Sequence, residues 1–273
     1  MTRQPLHLIH PKYRPDIDGL RAIAVLSVVA FHAFPNWMKG GFIGVDVFFV
    51  ISGYLISTIL FQSLDNNKFS FTVFYARRIK RIFPALILVF VASYIFGWFT
   101  LLADEYKQLG KHIAAGASFI SNFILWSESG YFDNSTETKP LLHLWSLGIE
   151  EQFYIIWPLF LWVAWKVKFN RILLIIIFLI ASLYLNLTTI DKDPTATFYS
   201  PLTRFWELLS GSLLAWFTLK KGSIHSKIHS WPNKYREKAS SSEPSHNLLN
   251  RVSFLGFSLL IYGFLQINKD VSF

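Results

Sequence analysis

Residues 42–61 read FIGVDVFFVISGYLISTILF, and this stretch decides the class of fold. It carries a single charged side chain, that of Asp46. An α-helix needs about 20 mostly apolar residues to cross the hydrocarbon core of a bilayer. A helix that is apolar on every side is buried in a large core or in a membrane. The stretch therefore predicts a membrane-embedded helix.

The rest of the chain supports this prediction. Of its 273 residues, 52% are hydrophobic and only 16% are charged, whereas soluble domains carry about 25% charged residues. Six further apolar runs occupy residues 19–34, 84–102, 144–165, 172–187, 201–219 and 252–267. We therefore expect an all-α, polytopic membrane helical bundle with about seven transmembrane helices. A weaker run, 113–126, is too short to span and predicts an interfacial or re-entrant segment.

The distribution of lysine and arginine predicts the orientation of these helices. With the N-terminus in the cytoplasm, the inner segments hold 18 basic residues and the outer segments 6. Positive residues collect in cytoplasmic loops, so a cytoplasmic N-terminus is favoured. The same bias explains the net charge of +9, and we expect no nucleic-acid partner. Residues 220–251, rich in serine, lysine and histidine, predict a flexible cytoplasmic loop.

Two ionisable side chains of the first span lie on one stripe. Arg21 and His32 are 11 residues apart, which is close to three turns and roughly 16 Å along a helix. Ionisable groups at membrane depth are functional candidates by default. The alternatives are an arginine that reaches the inner interface and a histidine satisfied by a backbone carbonyl.

Further acid and base candidates are predicted in the outer half of the membrane. Asp46, Glu150 and Glu151 lie near the outer ends of their spans, and a carboxylate can orient a neutral histidine as a general base. A structural pair, or a carboxylate favoured by a helix N-terminus, is the alternative for Asp46. Arg204 also lies in the outer half, where it could pair with Glu207 three residues on.

Two further patterns accompany these candidates. His143, Ser146 and Glu150 share a helix face if that helix begins early enough. Arg77, Arg78 and Arg81 are predicted at the inner face, where positive-inside topology alone would also place them. The chain has no cysteine, which excludes disulfides and thiolate zinc sites. We predict no metal site.

Five stretches resemble the membrane-bound acyltransferase-3 family. They are YRPDIDGLRAIAV at 13–25 with His32 beyond it, GGFIGVDVFFVISGYLI at 40–56, FYARRIKRIFP at 74–84, HLWSLGIEEQFY at 143–154 and RFWELLSG at 204–211. They cover most of the chain in the order that the family shows.

The resemblance implies an O-acyltransferase of the bacterial inner (cytoplasmic) membrane. Such enzymes carry an acyl group, often acetyl, from cytoplasmic acyl-CoA to a hydroxyl of an extracytoplasmic carbohydrate such as O-antigen, lipopolysaccharide or exopolysaccharide. It implies catalysis at His32 and donor binding at Arg21 and the cluster Arg77, Arg78 and Arg81. Asp46, Glu150, Glu151 and Arg204 are the further catalytic candidates.

One departure from the family concerns length. The family's membrane domain has about ten spans, and this chain holds about seven. We therefore expect residues 1–273 to form a single acyltransferase-3-like membrane domain that is incomplete at its C-terminus. An oligomer or a partner could supply the missing spans. Two rival functions stay open: a transporter or flippase for an envelope glycan or lipid-linked sugar, whose buried charges line a path, and an inactive truncated acyltransferase.

Overall fold

The computed structural model describes residues 14–129, 139–229 and 246–267, with side chains throughout those ranges except 221–229 and 246–250. All regular secondary structure in the described residues is helical. The helices are α1 (Pro15–Ala33), α2 (Gly44–Asp65), α3 (Phe71–Thr100), α4 (Ala103–Ala117), α5 (Ser121–Glu128), α6 (Leu144–Lys166), α7 (Arg171–Thr189), α8 (Pro194–Tyr199), α9 (Pro201–His229) and α10 (His246–Gln266). A 3-10 turn at Gly41–Ile43 precedes α2.

Each of the seven predicted apolar runs lies mainly in one helix, which confirms the all-helical prediction. Among the described residues, three helices are long and apolar enough to cross a membrane: α3, α7, and α2 with its preceding turn. A shorter apolar helix covers Arg251–Gln266. The total of seven spans and the cytoplasmic side of the N-terminus stay predictions.

Helix α3 differs most from its predicted bounds. The predicted span began at Pro84, but α3 begins at Phe71 and continues through Pro84. A proline inside a membrane helix is tolerated where neighbouring groups satisfy the freed backbone atoms. The basic cluster of residues 77–81 therefore lies inside a helix that continues into an apolar span.

Residues 113–126 do not form one helix. They contain the end of α4, a break at residues 118–120 and most of α5. Phe119, at the break, lies against Phe83, with 5.7 Å between ring centroids, and its carbonyl accepts a hydrogen bond of 2.8 Å from Gln152. The tip of the α4–α5 hairpin thus contacts the middle of α3 and the first half of α6. Whether the segment is interfacial or re-entrant stays a prediction.

The chain forms two compact units. The first, residues 59–209, contains α3 to α8, and we call it the α3–α8 unit. Its helices α3, α4 and the segment before α6 meet in an apolar cluster of Leu86, Phe90, Leu109 and Leu141. Aromatic contacts such as Phe71 with Trp162, at 5.7 Å between centroids, join α3 to α6.

The second unit, residues 12–58 and 210–273, contains α1, and we call it the α1 unit. Two glycines allow its close packing. A Cβ on Gly44 would collide with the Ala24 carbonyl of α1, and a Cβ on Gly211 would collide with the Val50 carbonyl of α2. Ser57 donates to Ser212 at 2.6 Å, which joins α2 to α9.

The predicted flexible loop 220–251 is partly helical, because α9 continues to His229 and α10 begins at His246. Residues 230–245 lie outside the described residues.

Candidate functional site

His32 lies one residue before the end of α1 and is exposed. Its Nδ1 hydrogen-bonds to the Val28 carbonyl oxygen at 2.8 Å. Because a carbonyl oxygen only accepts, Nδ1 is the donor, and a neutral His32 then has its basic lone pair on Nε2. The alternative stated from the sequence, a histidine satisfied by a backbone carbonyl, is therefore present. The same hydrogen bond places the proton of a neutral imidazole on Nδ1.

Arg21 lies on the same uninterrupted helix as His32. Its side chain is 38% exposed, and it lies 3.7 Å from the Asp18 carboxylate, one turn before it. An exposed pair at this distance is weak, so the guanidinium can exchange Asp18 for another anion at little cost.

Asp46 lies in the first turn of α2 and is half-buried. A helix N-terminus favours negative charge, so this position suits a carboxylate without any catalytic role. Its proposed role in orienting His32 stays a prediction.

At the start of α1, Arg14 was not among the predicted site residues. Arg14 makes two hydrogen bonds to Asp16, of 2.8 and 2.5 Å, and one of 3.4 Å to the Tyr54 hydroxyl. The hydrogen bond from Arg14, against a smaller effect of burial, lowers the pKa of Asp16. The hydrogen bond from Arg14 to the Tyr54 hydroxyl joins the beginning of α1 to α2 within the α1 unit.

In the α3–α8 unit, Arg78 and Glu151 form a direct ion pair. Arg78 Nη2 donates to Glu151 Oε1 at 2.6 Å, and the two side chains are 15% and 6% exposed. The guanidinium carbon lies 3.8 Å from the centroid of the Tyr154 ring, a distance suited to a cation–π contact. The neighbouring Glu150 accepts a hydrogen bond from the Tyr154 hydroxyl.

This pair corrects the predicted separation of charges. The sequence placed Arg78 at the inner face and Glu151 in the outer half, yet the two side chains touch. Each is the eighth residue of its helix. Helices α3 and α6 run in opposite directions, because Phe71 contacts Trp162 whereas Arg78 contacts Glu151. Because α3 begins 13 residues before the predicted span and an arginine side chain is long, Arg78 reaches the level of Glu151.

The other two arginines of the cluster differ from Arg78. Arg77 is half-buried and Arg81 is exposed. Within the part of the chain that the structure describes, neither makes an ion pair shorter than 4.0 Å. They are better placed than Arg78 to receive an external anion.

Arg204 and Glu207 pair with each other, as the sequence alternative proposed. Arg204 Nη1 lies 3.2 Å from Glu207 Oε1, and both side chains are buried. The Arg204 guanidinium also faces the aromatic rings of Trp145 and Phe198, at 5.7 and 5.9 Å from their centroids. This setting fixes Arg204 by contacts from α6, α8 and α9.

A cavity of about 210 Å³ adjoins the Arg78–Glu151 pair. Helix α3 and Phe119, at the α4–α5 hairpin tip, supply much of its wall, and its lining includes Tyr75, Arg78, Ile82, Phe83, Phe119 and Glu151. At one side Tyr75 donates to the Ile155 carbonyl at 2.9 Å. The cavity is apolar apart from the ion pair and the tyrosine.

The hairpin tip is held by amides that sequence reasoning missed. Gln152 Nε2 donates to the Phe119 carbonyl and to Asn122 Oδ1, both at 2.8 Å. Asn122 Nδ2 then donates to the Tyr199 carbonyl at 3.0 Å. Gln152 directly follows Glu151, so this network also fixes the carboxylate that binds Arg78.

Glu128, at the end of α5, is a second missed feature. It accepts from Lys111 at 2.8 Å, from His112 at 2.8 Å, from Lys139 at 3.3 Å and from Gln108 at 3.2 Å. Burial alone would raise the pKa of Glu128, but the cationic donors outweigh it and lower the pKa to about 2. We call these residues the Glu128 cluster. It ties together α4, α5 and the segment before α6.

His143 is exposed and precedes the first residue of α6, Leu144, and Ser146 donates to the His143 carbonyl at 3.2 Å. The predicted common face of His143, Ser146 and Glu150 therefore begins at the N-cap residue, His143, and not inside α6. Among the described residues, no group of three or more histidine, aspartate or glutamate side chains could hold a metal ion.

Comparison with known proteins adds to this geometry. A family model described as an acyltransferase domain matches residues 14–232. The peptidoglycan O-acetyltransferase OatA of Listeria monocytogenes is 41% identical over 211 residues, which are 75% of this chain and 34% of that protein. YrhL of Bacillus subtilis, named as a candidate peptidoglycan O-acetyltransferase, is 36% identical over 260 residues, 92% of this chain and 39% of YrhL.

The chain spans less than half of the length of these relatives. No solved structure matches the chain. The matched residues include Arg21, His32, the Arg78–Glu151 pair and Arg204. The chain therefore belongs to the acyltransferase-3 family.

Proposed function

We propose that the protein transfers an acyl group, expected to be acetyl, from cytoplasmic acyl-CoA to a carbohydrate hydroxyl outside the cytoplasmic membrane. The family match over residues 14–232 carries this proposal. For the acceptor we propose peptidoglycan rather than O-antigen or exopolysaccharide, because the names of OatA and YrhL specify peptidoglycan.

The proposed chemistry uses His32 as the general base. Its Nε2 removes the proton of the acceptor hydroxyl while that oxygen attacks the thioester carbonyl. The carbon–sulfur bond breaks, the acyl group remains on the sugar oxygen, and the CoA thiolate takes the proton back. The alternative is transient transfer of the acyl group to Nε2 before it reaches the sugar. Because Nδ1 donates to the Val28 carbonyl, Nε2 is the ring nitrogen that either route would use.

The donor role is proposed separately for each unit. In the α1 unit, Arg21 is the candidate for the CoA phosphates, since it is partly exposed and weakly paired. In the α3–α8 unit, Arg77 and Arg81 are the candidates, because Arg78 is already paired with Glu151. Arginine suits phosphate through its planar, permanently charged fork.

The remaining candidates keep proposed supporting roles. Asp46 would orient an imidazole. Glu150 and Glu151 would set the charge around Tyr154 and Arg78. Arg204 would stabilise negative charge on the thioester oxygen, although its pairing with Glu207 equally supports a structural role.

The test replaces His32 by asparagine and by alanine. Asparagine can keep a donor to the Val28 carbonyl but cannot act as a base, so it separates catalysis from structure. We expect both variants to lower acyl transfer by about 100-fold or more, with normal amounts of protein in the membrane. CoA release from acetyl-CoA by protein in nanodiscs, and the O-acetyl content of cell-wall peptidoglycan by NMR, would measure this.

Near-normal transfer by the asparagine variant would refute the role of His32. Movement of a glycan across the membrane without any CoA release, by the unaltered protein, would instead favour the transporter.

A further inference from the structure

The cavity beside Arg78 lies along α3. Its wall follows one face of that helix from Tyr75 through Arg78 and Ile82 to Phe83. From Tyr75 to Phe83 an α-helix rises about 12 Å, so the lining extends over about two turns of α3. Phe119, which reaches Phe83 from the hairpin tip, stands at the end away from Tyr75.

The backbone at Phe119 adopts a conformation that phenylalanine rarely takes. Its φ is 56°, in the left-handed region where a bulky side chain is an outlier. It ends α4 with two characteristic hydrogen bonds, from Phe119 N to the Gly116 carbonyl at 3.2 Å and from Ile120 N to the Ala115 carbonyl at 2.9 Å. Glycine is the usual residue at this position of such a helix end.

A strained residue persists where its surroundings hold it, and such residues occur preferentially at functional sites. At Phe119 the surroundings are the Gln152 hydrogen bond to the carbonyl, the Phe83 contact to the ring, and the apolar cluster of α3, α4 and the segment before α6, against which the side chain packs. The hydrogen bond would serve glycine equally well, since it uses only the backbone. The ring is therefore the part that glycine could not supply, and the ring lines the cavity.

The cavity wall also contains one polar group that lacks a hydrogen-bond partner in the described residues, on the side chain of Arg78. Its Nη2 is bonded to Glu151, whereas its Nε is buried and has no hydrogen-bond partner in the described residues. Buried N–H groups are normally paired. The net-neutral Arg78–Glu151 pair does not call for a charged ligand, so the matching group is an uncharged acceptor such as a carbonyl oxygen.

We propose that this cavity receives the acyl-bearing end of the acyl-CoA donor, and that Phe119 is the residue that limits the length of the acyl group. The amide carbonyls of that arm are uncharged acceptors for Arg78, and the apolar wall accommodates its methylene groups. This inference rests on the proposed function, because it requires acyl-CoA as donor. Phe119 acts as a specificity-determining residue and takes no part in bond making.

The test replaces Phe119 by glycine. Glycine removes the end wall, and the relieved backbone conformation offsets part of the apolar packing that is lost with the ring, so we expect the variant to fold. Lys168 provides a matched control, because it has the same φ of 56° and ends α6 with the same hydrogen bonds, from Lys168 N to Trp165 and from Phe169 N to Ala164. Lys168→Gly relieves the same conformation away from the cavity.

The measurement is the affinity of protein in nanodiscs for acetyl-, propionyl-, butyryl- and hexanoyl-CoA, by calorimetric titration. Wild type and Lys168→Gly should bind acetyl-CoA at least as tightly as butyryl-CoA. Each methylene newly buried strengthens binding about fourfold, so Phe119→Gly should shift the butyryl-to-acetyl ratio by about 15-fold. A ratio equal to that of wild type would overturn the role of Phe119.

A second pair of variants tests the cavity itself. Ile79 lines the cavity and Ile87 does not, yet both lie on α3 with 53% exposure. Ile79→Trp should weaken binding of every acyl-CoA at least tenfold, and Ile87→Trp should not. Equal effects would place the donor elsewhere while the proposed function survived. If wild type bound no CoA thioester, the proposed function would fail, and this inference with it.

Discussion

The two units hold their charged residues in different ways. In the α1 unit, Arg21 and His32 contact partners three or four residues away on the same helix, and both are at least partly exposed. In the α3–α8 unit, Arg78 and Glu151 are 73 residues apart in sequence and largely buried. Local, exposed contacts can be exchanged for a ligand, whereas buried long-range pairs must be kept for the fold.

The difference separates two kinds of intramembrane charge. Removing one partner of a buried pair strands the other charge in a medium of low dielectric constant. An exposed pair is worth at most about 1 kcal/mol. The α1 unit should therefore lose function before stability on mutation, and the α3–α8 unit should lose stability first.

The largest expected effect on stability is at the Arg78–Glu151 pair. Glu151→Ala leaves Arg78 buried without its carboxylate and should cost about 3–5 kcal/mol. Replacing both residues, Arg78→Met with Glu151→Leu, should recover most of that loss because no charge is stranded. Thermal unfolding in nanodiscs, followed by tryptophan fluorescence, measures both. A double variant no more stable than Glu151→Ala would show that a stranded charge is not the cause of the loss.

A smaller effect is expected at the Glu128 cluster, and it depends on pH. The folded pKa of about 2 is below the ordinary value of 4.5, so the carboxylate stabilises the fold above about pH 4.5. That contribution falls as the pH drops and is lost as the pH passes through 2. Glu128→Gln should cost about 2 kcal/mol at pH 7, where hydrogen bonds to the charged group are lost.

Unfolding temperatures of wild type and Glu128→Gln, compared from pH 7 down to pH 2, test this prediction. The two curves should converge at the acid end. A constant gap across the whole range would show that the charge of Glu128 is not what stabilises the cluster.

The smallest effect on stability is expected at Arg21. Arg21→Ala removes an exposed pair of 3.7 Å and should change the free energy of unfolding by less than about 1 kcal/mol. CoA affinity should nevertheless fall about tenfold or more, since a charged hydrogen bond is worth about 1.5–3 kcal/mol. Lys39→Ala, which removes an exposed cation from the same unit, is the matched control. A loss of stability without a loss of CoA affinity would reverse the contrast between the units.

Sequence reasoning succeeded where the controlling interactions are local. Apolar runs such as 172–187 became helices because hydrophobic composition acts over a few turns. The Arg21–His32 stripe lies on one unbroken helix. Arg204 and Glu207 pair because residues three apart are neighbours on any helix.

Tertiary structure decided what joins distant segments. The sequence marks Arg78 and Glu151 as candidates, but the apolar run begins only at Pro84, which predicts the inner face for Arg78 and the outer half for Glu151. The sequence does not indicate the Glu128 cluster. Its donors Lys111 and Lys139 lie 17 and 11 residues from Glu128, and neither spacing predicts a contact. Phe119 looks like any apolar residue until the backbone angle and the cavity are known. Periodicity and composition describe one helix at a time, whereas ion pairs across helices and the wall of a cavity depend on how the helices pack.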